Sequence, residues 1–320
     1  MADAPRRRFA HVILNPVSGG GRARKLRPRI ERALWDRGVE FEVTETEGQG
    51  HAVSLARTRL SADVDVLVAV GGDGTAHEVA NGVLAAARDG VEPPALGVVP
   101  VGSGNDFVKM LGLYRKLDRA FDVVAHGEAR RLDVGRAAWE GGEEYFINGA
   151  GTGIDVEVVR QIVQQPHIPG VLKYLNGVLR AVVGFRAIPL RVFVGDEVIA
   201  DRMMMVAVGN GRCIGGGFWV TPEAEPDDGL LDIMVVTNLN YAQIAAVIPK
   251  VMRGRHMGVR QVAMRRAPEV RIEAAGGEPL FFQLDGELRE PAEARQLRVS
   301  VQPAALRVLS AEPRQPRAPG

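Results

Sequence analysis

Short apolar runs alternate with helical patterns over the first third of the chain. Runs of this kind predict strands at residues 9–14, 39–43, 66–70 and 95–101. Apolar residues spaced by three or four positions predict helices at residues 26–34, 51–60 and 75–87. The first of these helices is expected to stop at Gly38. Strands that alternate with helices indicate a parallel sheet with both faces covered.

From about residue 130 the pattern changes to a series of strands. Residues 131–137 and 144–148 flank Gly141-Gly142 and predict a hairpin. Further strands are predicted at residues 190–194, 203–208, 230–236, 269–274, 281–284 and 296–301. Helices are predicted at residues 154–163, 171–185 and 241–251, with a break at Pro166 to Pro169. The order indicates a mainly antiparallel β domain with a helical insert, then a docked segment at Leu306–Leu309 and a disordered tail at Glu312–Gly320.

Length and composition favour a globular protein of two domains. The 320 residues are 46% apolar and 25% charged, and the net charge of +1 gives no basic excess for nucleic acid. Cys213 is the only cysteine, which excludes an intramolecular disulfide and a multi-cysteine zinc site. No apolar run approaches the roughly 20 residues that span a bilayer, and no apolar segment follows Arg6-Arg7-Arg8 as in a secretory signal. A cytoplasmic location is expected, with peripheral contact at the inner membrane face left open.

A glycine-rich turn, Gly71-Gly72-Asp73-Gly74-Thr75, follows the apolar run 66–70. Glycines let the backbone approach another group closely, and Thr75 is expected to cap the helix that follows. A strand, a glycine turn and a helix N-terminus together favour phosphate binding. Asp73 would oppose an anion there unless a cation lay between them. The pattern therefore predicts a site for a nucleoside triphosphate and Mg²⁺, and an ordinary turn with an exposed aspartate is the alternative.

Two other loops at predicted strand ends have similar chemistry. Asn15 to Gly19 offers an amide, a hydroxyl and backbone N–H groups, and Gly102 to Asp106 combines glycine, hydroxyl and acid. The GxxxxGK[ST] spacing is absent, which argues against a P-loop but not against nucleotide binding. Asp73 and Asp106 become a pair of carboxylates, and oxygen ligands of this kind suit Mg²⁺. The alternative role for Asp106 is to cap a helix that opens at Phe107.

Seven motifs, taken in order, resemble the diacylglycerol kinase catalytic-domain family, and in particular its bacterial soluble lipid kinases. The first three are Asn15 to Gly20, Gly71 to Thr75 and Pro100 to Phe107. The others are Asn148 to Gly153, Gly215 to Gly217, Asp227 to Asp232 and Leu284 to Glu287. The likeness covers residues from about 9 to 310. NAD kinases share the glycine turn, but the later motifs are more similar to those of lipid kinases.

The resemblance implies a fold of class α/β plus β. A doubly wound α/β nucleotide-binding domain would contain residues 1–130, with residues 303–311 returning to it. A β-sandwich domain with the helical insert would contain residues 131–302, and the active site would lie in the cleft between the domains. Residues implied to contact ATP are Asn15, Pro16, Val17, Ser18, Gly19, Thr46, Gly71, Gly72, Asp73, Gly74, Thr75, Ser103 and Glu287. Residue 103 is often threonine in relatives, and serine keeps the hydroxyl.

Three acids would carry the chemistry that the resemblance implies. Asp73 and Asp106 would hold the catalytic Mg²⁺ through water, and Asp285 would deprotonate the lipid hydroxyl. Glu287 is placed on the nucleotide side, and whether it or Asp285 is the proton acceptor stays open. A hairpin Asp-Gly turn is the alternative for Asp285. The resemblance also implies a second, structural Mg²⁺ at the Asp228 carboxylate with the backbone carbonyls of Glu225 and Leu230.

The predicted function is an ATP- and Mg²⁺-dependent lipid kinase that acts on diacylglycerol or a similar lipid. Alternatives are a kinase for a sphingoid base, ceramide, phosphatidylglycerol or a soluble polyol, and a nucleotide-binding regulator without catalysis. The stripe Leu172, Leu175, Leu179 and Val183 is predicted to pack against the domain, with acyl chains or a bilayer surface as the alternative. Met203-Met204-Met205 is predicted to be core strand rather than a lipid groove. No nucleic-acid partner is expected. The sequence does not determine the oligomeric state, and a homodimer is one possibility.

Overall fold

The computed structural model describes residues 7–60, 63–113, 116–164 and 170–311. The chain divides into two compact units. The first unit extends to Leu132 and resumes at Ala305, and the second unit is Asp133–Ala304. The break predicted at Pro166 to Pro169 and the tail predicted at Glu312–Gly320 lie outside the described residues. No helix within the described residues is long and apolar enough to cross a membrane.

The first unit alternates strands and helices, as the apolar runs predict. Its elements are β1 (Phe9–Leu14), α1 (Ser18–Asp36), β2 (Glu40–Glu45), α2 (His51–Thr58), β3 (Val66–Gly71), α3 (Asp73–Arg88), β4 (Ala95–Pro100), α4 (Phe107–Met110), α5 (Leu117–His126) and the start of β5 (Glu128–Trp139). Strands β1 to β4 are parallel and stand in the order β2-β1-β3-β4. In this order β1 and β3 are adjacent at the point where the winding reverses, which is where such sheets bind ligands.

The second unit is built from antiparallel strands with helices between some of them. Its elements after β5 are β6 (Gly142–Phe146), β7 (Gly149–Gly153), α6 (Ile154–Val163), α7 (Gly170–Val182), β8 (Ile188–Val194), β9 (Glu197–Gly209), β10 (Leu231–Thr237), α8 (Tyr241–Val251), β11 (Val262–Ala267), β12 (Glu269–Ala274), β13 (Phe282–Leu284), β14 (Glu287–Arg289) and β15 (Gln296–Ser310). One path of paired strands is β14-β13-β7-β9-β8-β12-β15, and β10 and β11 extend from β9.

Strand β15 ends in the first unit. Leu306 and Val308 are buried there, and Val308 pairs with Leu96 of β4 in parallel orientation. This is the segment for which docking was expected. It adds a fifth parallel strand beside β4, so residues near the C-terminal end of the chain complete the sheet of the first unit.

Both faces of β9 are covered by apolar side chains. Met203, Val206 and Val208 belong to one buried cluster, which includes residues of β8, β12, β13 and β15. Met204 and Ala207 belong to a second cluster, which includes residues of α8 and β10. The predicted class, an α/β domain followed by a β-sandwich domain with a helical insert, is confirmed.

Candidate active site

The loops after β1 and β3 are joined by hydrogen bonds at the carboxyl ends of these strands. The backbone N–H of Asn15 donates to the carbonyl of Val70 at 3.0 Å, and its side-chain amide donates to Thr75 Oγ1 at 3.1 Å. Thr75 is buried inside the first turn of α3. The hydrogen bond from Asn15 therefore fixes the loop after β1 against the helix that follows the glycine turn.

The loop after β4 approaches the same glycine turn. Val101 and Gly102 both donate their backbone N–H groups to the carbonyl of Gly71, at 2.8 and 3.1 Å. A Cβ atom added to Gly102 would lie only 2.4 Å from the Cα of Gly72. Only glycine at residue 102 allows this contact between two backbones. Three predicted phosphate-binding loops of the first unit thus lie together, at the ends of β1, β3 and β4.

Replacing Gly102 by alanine is expected to separate the loops after β3 and β4. We expect the KM for ATP to rise about tenfold, because a shift of the loop backbones by even an ångström misplaces the groups that would hold the phosphates. Gly258→Ala is the matched control, since a Cβ there meets nothing within 4 Å. Steady-state kinetics with varied ATP check this, and an unchanged KM in Gly102→Ala would show that the close contact has no role in nucleotide binding.

Asp73 and Asp106 lie in the two loops that approach each other. Asp73 Oδ1 accepts the backbone N–H of Phe107 at 3.0 Å, so this carboxylate connects the glycine turn to the start of α4. Asp106 is almost fully buried and forms an ion pair with Lys109 one helical turn later. The sequence reasoning missed Lys109, although its spacing of three residues from Asp106 on a helix was the available signal.

The predicted cap at Thr75 is wrong, and the alternative role of Asp106 as a cap is met in position only. Helix α3 begins at Asp73 with Gly72 as its N-cap, so Thr75 lies inside the helix and its hydroxyl instead accepts from Asn15. Asp106 occupies the N-cap position of α4, but its side chain makes no capping hydrogen bond there. Asp73 instead accepts the N–H of Phe107, the first residue of α4, from a loop that is distant in sequence.

The other predicted nucleotide contacts of the first unit lie along the same strand ends. Thr46 follows β2 directly, and its N–H donates to the carbonyl of Leu14 at 2.9 Å. Val17 and Ser103 are exposed, whereas Pro16 is buried. Ser18, the first residue of α1, is half-exposed. Gly19 has a positive φ of 61°, and Gly74 lies in the first turn of α3. The contacts of these residues with ATP stay predictions.

Asp285 lies in the second unit, in the turn between β13 and β14. Three backbone N–H groups donate to its carboxylate: Asn148 and Gly149 to Oδ1, both at 2.9 Å, and Ile147 to Oδ2 at 2.8 Å. Its φ of 49° is in the left-handed region, which is uncommon for an aspartate. The Asp-Gly turn that was the alternative for Asp285 is present, and the carboxylate in it is held in a fixed orientation.

A buried pair of side chains supports the other side of this turn. Gln283 is fully buried, and its Oε1 accepts the backbone N–H of Gly286 at 2.6 Å. Its amide donates to Asp155 Oδ2 at 2.7 Å, and Asp155 is buried in the first turn of α6. Glu287, at the start of β14, is half-buried. Sequence reasoning missed Gln283 and Asp155, because they lie 128 residues apart and no local pattern connects them.

The one carboxylate of the implied second metal site is engaged by other groups. Asp228 Oδ1 accepts the N–H of Leu230 at 2.9 Å, and its Oδ2 forms an ion pair with Arg266. The side chain of Glu225, whose backbone carbonyl is the implied ligand, lies 3.9 Å from Arg212. Burial raises the pKa of nearby Asp232 to about 6, even though Arg266 opposes this. A metal at Asp228 would share its carboxylate with a guanidinium, and this site stays a prediction.

Comparison with known proteins identifies two family regions. Residues 9–137 match the diacylglycerol kinase catalytic domain, and residues 149–310 match the YegS C-terminal NAD kinase beta sandwich-like domain. The diacylglycerol kinase of Bacillus subtilis (strain 168) is 29% identical over 280 residues, which cover 87% of this chain and 89% of the relative. The diacylglycerol kinase of Mycobacterium tuberculosis (strain H37Rv) is 32% identical over 305 residues, covering 93% and 94%.

Solved structures agree on the fold. The crystal structure of a diacylglycerol kinase from Bacillus anthracis strain Sterne matches with a TM-score of 0.70 and 20% identity, over 96% of this chain and 98% of that one. Identity this low supports the fold alone. The family assignment rests instead on the two matched domains and on the curated relatives, which agree with the motifs of the sequence. The chain therefore belongs to the diacylglycerol kinase catalytic-domain family, and it is a lipid kinase.

Proposed function

We propose that this lipid kinase transfers the γ-phosphate of ATP to the hydroxyl of a diacylglycerol or a similar lipid. The observation that carries the proposal is the meeting of three loops of the first unit, which places Asp73 and Asp106 beside glycine-rich backbone at parallel strand ends. Phosphoryl transfer needs positioning and charge neutralisation more than covalent help. Loops of this kind supply backbone N–H donors that position the phosphates, and carboxylates that hold a charge-neutralising cation.

The donor side of the reaction is assigned to the first unit. Backbone N–H groups of the loops that begin at Asn15, Gly71 and Gly102 would bind the phosphates. The hydroxyl of Ser103 and the side chain of Thr46 would contact the nucleotide. Because the side chain of Asn15 donates a hydrogen bond to Thr75, the loop after β1 would keep its position when ATP leaves.

The residues present fit Mg²⁺ held through water. Among the described residues no three His, Cys, Asp or Glu side chains form a metal site by themselves. Asp73 and Asp106 are two carboxylates in adjoining loops, and Mg²⁺ commonly combines one or two carboxylates with water and phosphate oxygens. Asp106 also pairs with Lys109, so the water shell of the ion would share this carboxylate with the ammonium group. When bound, the ion would neutralise charge that develops on the phosphates. Asp73 would orient these waters while it also accepts the N–H of Phe107.

The acceptor side is assigned to Asp285. We propose that its carboxylate takes the proton of the lipid hydroxyl while the hydroxyl oxygen attacks the γ-phosphate and ADP leaves. The three backbone N–H groups from Ile147 to Gly149 support this role because they keep the carboxylate in one orientation. Glu287 would face the nucleotide, and it is the alternative proton acceptor.

Contact with a membrane surface is proposed for α7. Leu172 and Leu179 are 65% and 56% exposed, and Val183, just after the helix, is 77% exposed. The prediction that this stripe packs against the domain is therefore wrong for these three residues. Apolar side chains on an exposed helix suit transient binding at a lipid–water interface, where a lipid substrate resides.

A lipid panel tests the proposed acceptor. Purified protein, Mg²⁺ and γ-labelled ATP would be incubated with diacylglycerol, a sphingoid base, ceramide, phosphatidylglycerol or glycerol. We expect kcat/KM to be highest for diacylglycerol. A higher value for another lipid would replace the acceptor, and labelling of glycerol would indicate a soluble polyol. Binding of ATP without transfer to any acceptor would identify a nucleotide-binding regulator.

A further inference from the structure

We propose that Glu78 is a positioning residue for ATP, because it holds the loop after β2 (residues 46–50) where the nucleoside part of ATP would bind. Its two carboxylate oxygens accept the backbone N–H groups of Gly50 and Ala52, at 2.9 and 3.1 Å. Glu78 lies on α3, 28 and 26 residues from these partners. The inference deepens the proposed function and rests on it, since it concerns the same nucleotide at the same edge of the sheet.

The loop after β2 lies at the same edge of the sheet as the three predicted phosphate-binding loops. Strand β2 pairs with β1 in parallel orientation and stands at the end of the strand order. Neighbouring strands lie about 4.8 Å apart, so this loop begins one strand spacing beyond the loop after β1. The glycine-rich loops after β1, β3 and β4 would bind the phosphates. The nucleoside part of the molecule would then extend over β2, toward Thr46.

Glu78 supplies the cap that the N-terminus of α2 lacks. The N-cap position of α2 is Gly50, with a φ of 80°, and glycine has no side chain that could accept the N–H groups of the first turn. Serine, threonine, aspartate or asparagine commonly fills this role. The carboxylate of Glu78 replaces such a side chain from another helix, and its negative charge suits a helix N-terminus. The end of the loop is therefore fixed by a residue that is distant in sequence.

Residues 73–78, at the start of α3, form hydrogen bonds to the chain beyond three different strands. Asp73 accepts the N–H of Phe107, which follows the loop after β4. Thr75 accepts from the side chain of Asn15, in the loop after β1. Glu78 adds the loop after β2 to this set. One helix thus fixes the loop for the nucleoside relative to the loops for the phosphates.

The packing of α2 on α3 does not depend on Glu78. A Cβ atom added to Gly82, one turn further along α3, would lie 2.4 Å from the carbonyl oxygen of Val53 and 2.6 Å from the Cβ of Ala56. The two helices are therefore in direct contact there. Loss of the Glu78 carboxylate would free the loop and the first turn of α2 without separating the helices.

Glu78→Gln tests this role. An amide has one acceptor oxygen in place of two, so one of the two N–H groups loses its partner. We expect the Kd for Mg-ATP to rise about tenfold, because the loop must then be ordered when the nucleoside binds. The Kd for Mg-tripolyphosphate, which has no nucleoside, is expected to stay unchanged. Isothermal titration calorimetry without lipid measures both constants.

Glu92→Gln is the matched control, since it removes the same charge beyond the far end of α3. The side chain of Glu92 is 86% exposed, and both ligands should bind this variant as they bind the wild-type chain. Removal of a negative charge near an anion would by itself strengthen binding of both ligands. The proposed effect at Glu78 has the opposite sign and is confined to ATP. Equal weakening of the two ligands, or no weakening of ATP, would overturn the proposal.

Hydrogen exchange of the wild-type chain gives a test that needs no variant. Mg-ATP should slow the exchange of the backbone N–H groups of residues 47–52, whereas Mg-tripolyphosphate should leave it unchanged. In Glu78→Gln without ligand the same groups should exchange faster than in the wild-type chain. If Glu78→Gln does not fold, the comparison of the two ligands on the wild-type chain decides, and equal protection by both would reject the role of Glu78.

The outcome is separable from that of the proposed function, because binding and exchange require no transfer to a lipid. Transfer to diacylglycerol without the difference between ATP and tripolyphosphate would keep the function and reject the role of Glu78. The difference without transfer to any lipid would keep the role of Glu78 and reject the proposed transfer. Failure of the wild-type chain to bind ATP would reject both.

Discussion

Asp73→Asn is expected to lower kcat for lipid phosphorylation by at least about a hundredfold with little change in stability. Asparagine keeps a side-chain oxygen that can accept the N–H of Phe107, so the contact between the glycine turn and α4 survives. It removes the negative charge that would orient the waters of Mg²⁺. The measurement is kcat at saturating ATP and Mg²⁺, together with the midpoint of thermal unfolding.

Asp89→Asn is the matched control for this variant. Asp89 lies at the other end of α3, is exposed, and pairs with Arg57. An exposed ion pair of this kind contributes little, about 0–1 kcal/mol, so both kcat and stability should stay near wild type. If Asp73→Asn were as active as Asp89→Asn, the assignment of Asp73 to the metal side of the reaction would be wrong.

Asp285→Asn is expected to lower kcat by about 10²–10⁴, the range for loss of a general base. It should also reduce the free energy of unfolding by about 1–3 kcal/mol, because an amide cannot accept from all three of the N–H groups of residues 147–149. Asp285 therefore has a structural part in addition to its proposed chemistry. The measurements are kcat and chemical denaturation.

The pH profile of kcat separates the structural role of Asp285 from its proposed role as proton acceptor. It also decides whether Asp285 or Glu287 is the proton acceptor. Loss of the proton acceptor should remove the acid-side fall of kcat, whereas a merely structural change should lower kcat at every pH. We expect the acid-side fall to disappear in Asp285→Asn and to remain in Glu287→Gln. The reverse result would make Glu287 the proton acceptor and leave Asp285 with a structural role.

Much of the first unit could be predicted because its determinants are local. The run Val66 to Val70 is buried at every position, as a strand covered on both faces requires. The glycine turn after it could be interpreted from residue types alone. Helix α5 was not predicted, although Phe121 and Val124 are buried on it.

The second unit was harder to predict because tertiary contacts decide its local structure. Strand β7 consists of Gly149 to Gly153, a composition that favours a loop. It forms a strand because it pairs with β9 and β13, and residue 151 must be glycine because a Cβ there would be 2.0 Å from Asp155 Oδ2. Strand β11 also escaped prediction, since Arg265 and Arg266 interrupt its apolar pattern.

The candidate site shows the same division. The residue types of Asp73, Asp106 and Asp285 were predictable from motifs, but their hydrogen-bond partners were not. Phe107 is 34 residues from Asp73, and the backbone groups that hold Asp285 are 136–138 residues away. Such contacts depend on how the strands are arranged in three dimensions, and a spacing rule along the chain cannot supply them.

Transfer of label from γ-³²P-ATP to 1,2-dioleoylglycerol, with and without Mg²⁺, shows whether the chain is a Mg²⁺-dependent diacylglycerol kinase. The wild-type chain should produce a labelled phospholipid only when Mg²⁺ is present, and Asp73→Asn should produce almost none. A wild-type chain that bound ATP yet left the lipid unlabelled, or labelling that stayed the same after a chelator removed Mg²⁺, would contradict the proposed function.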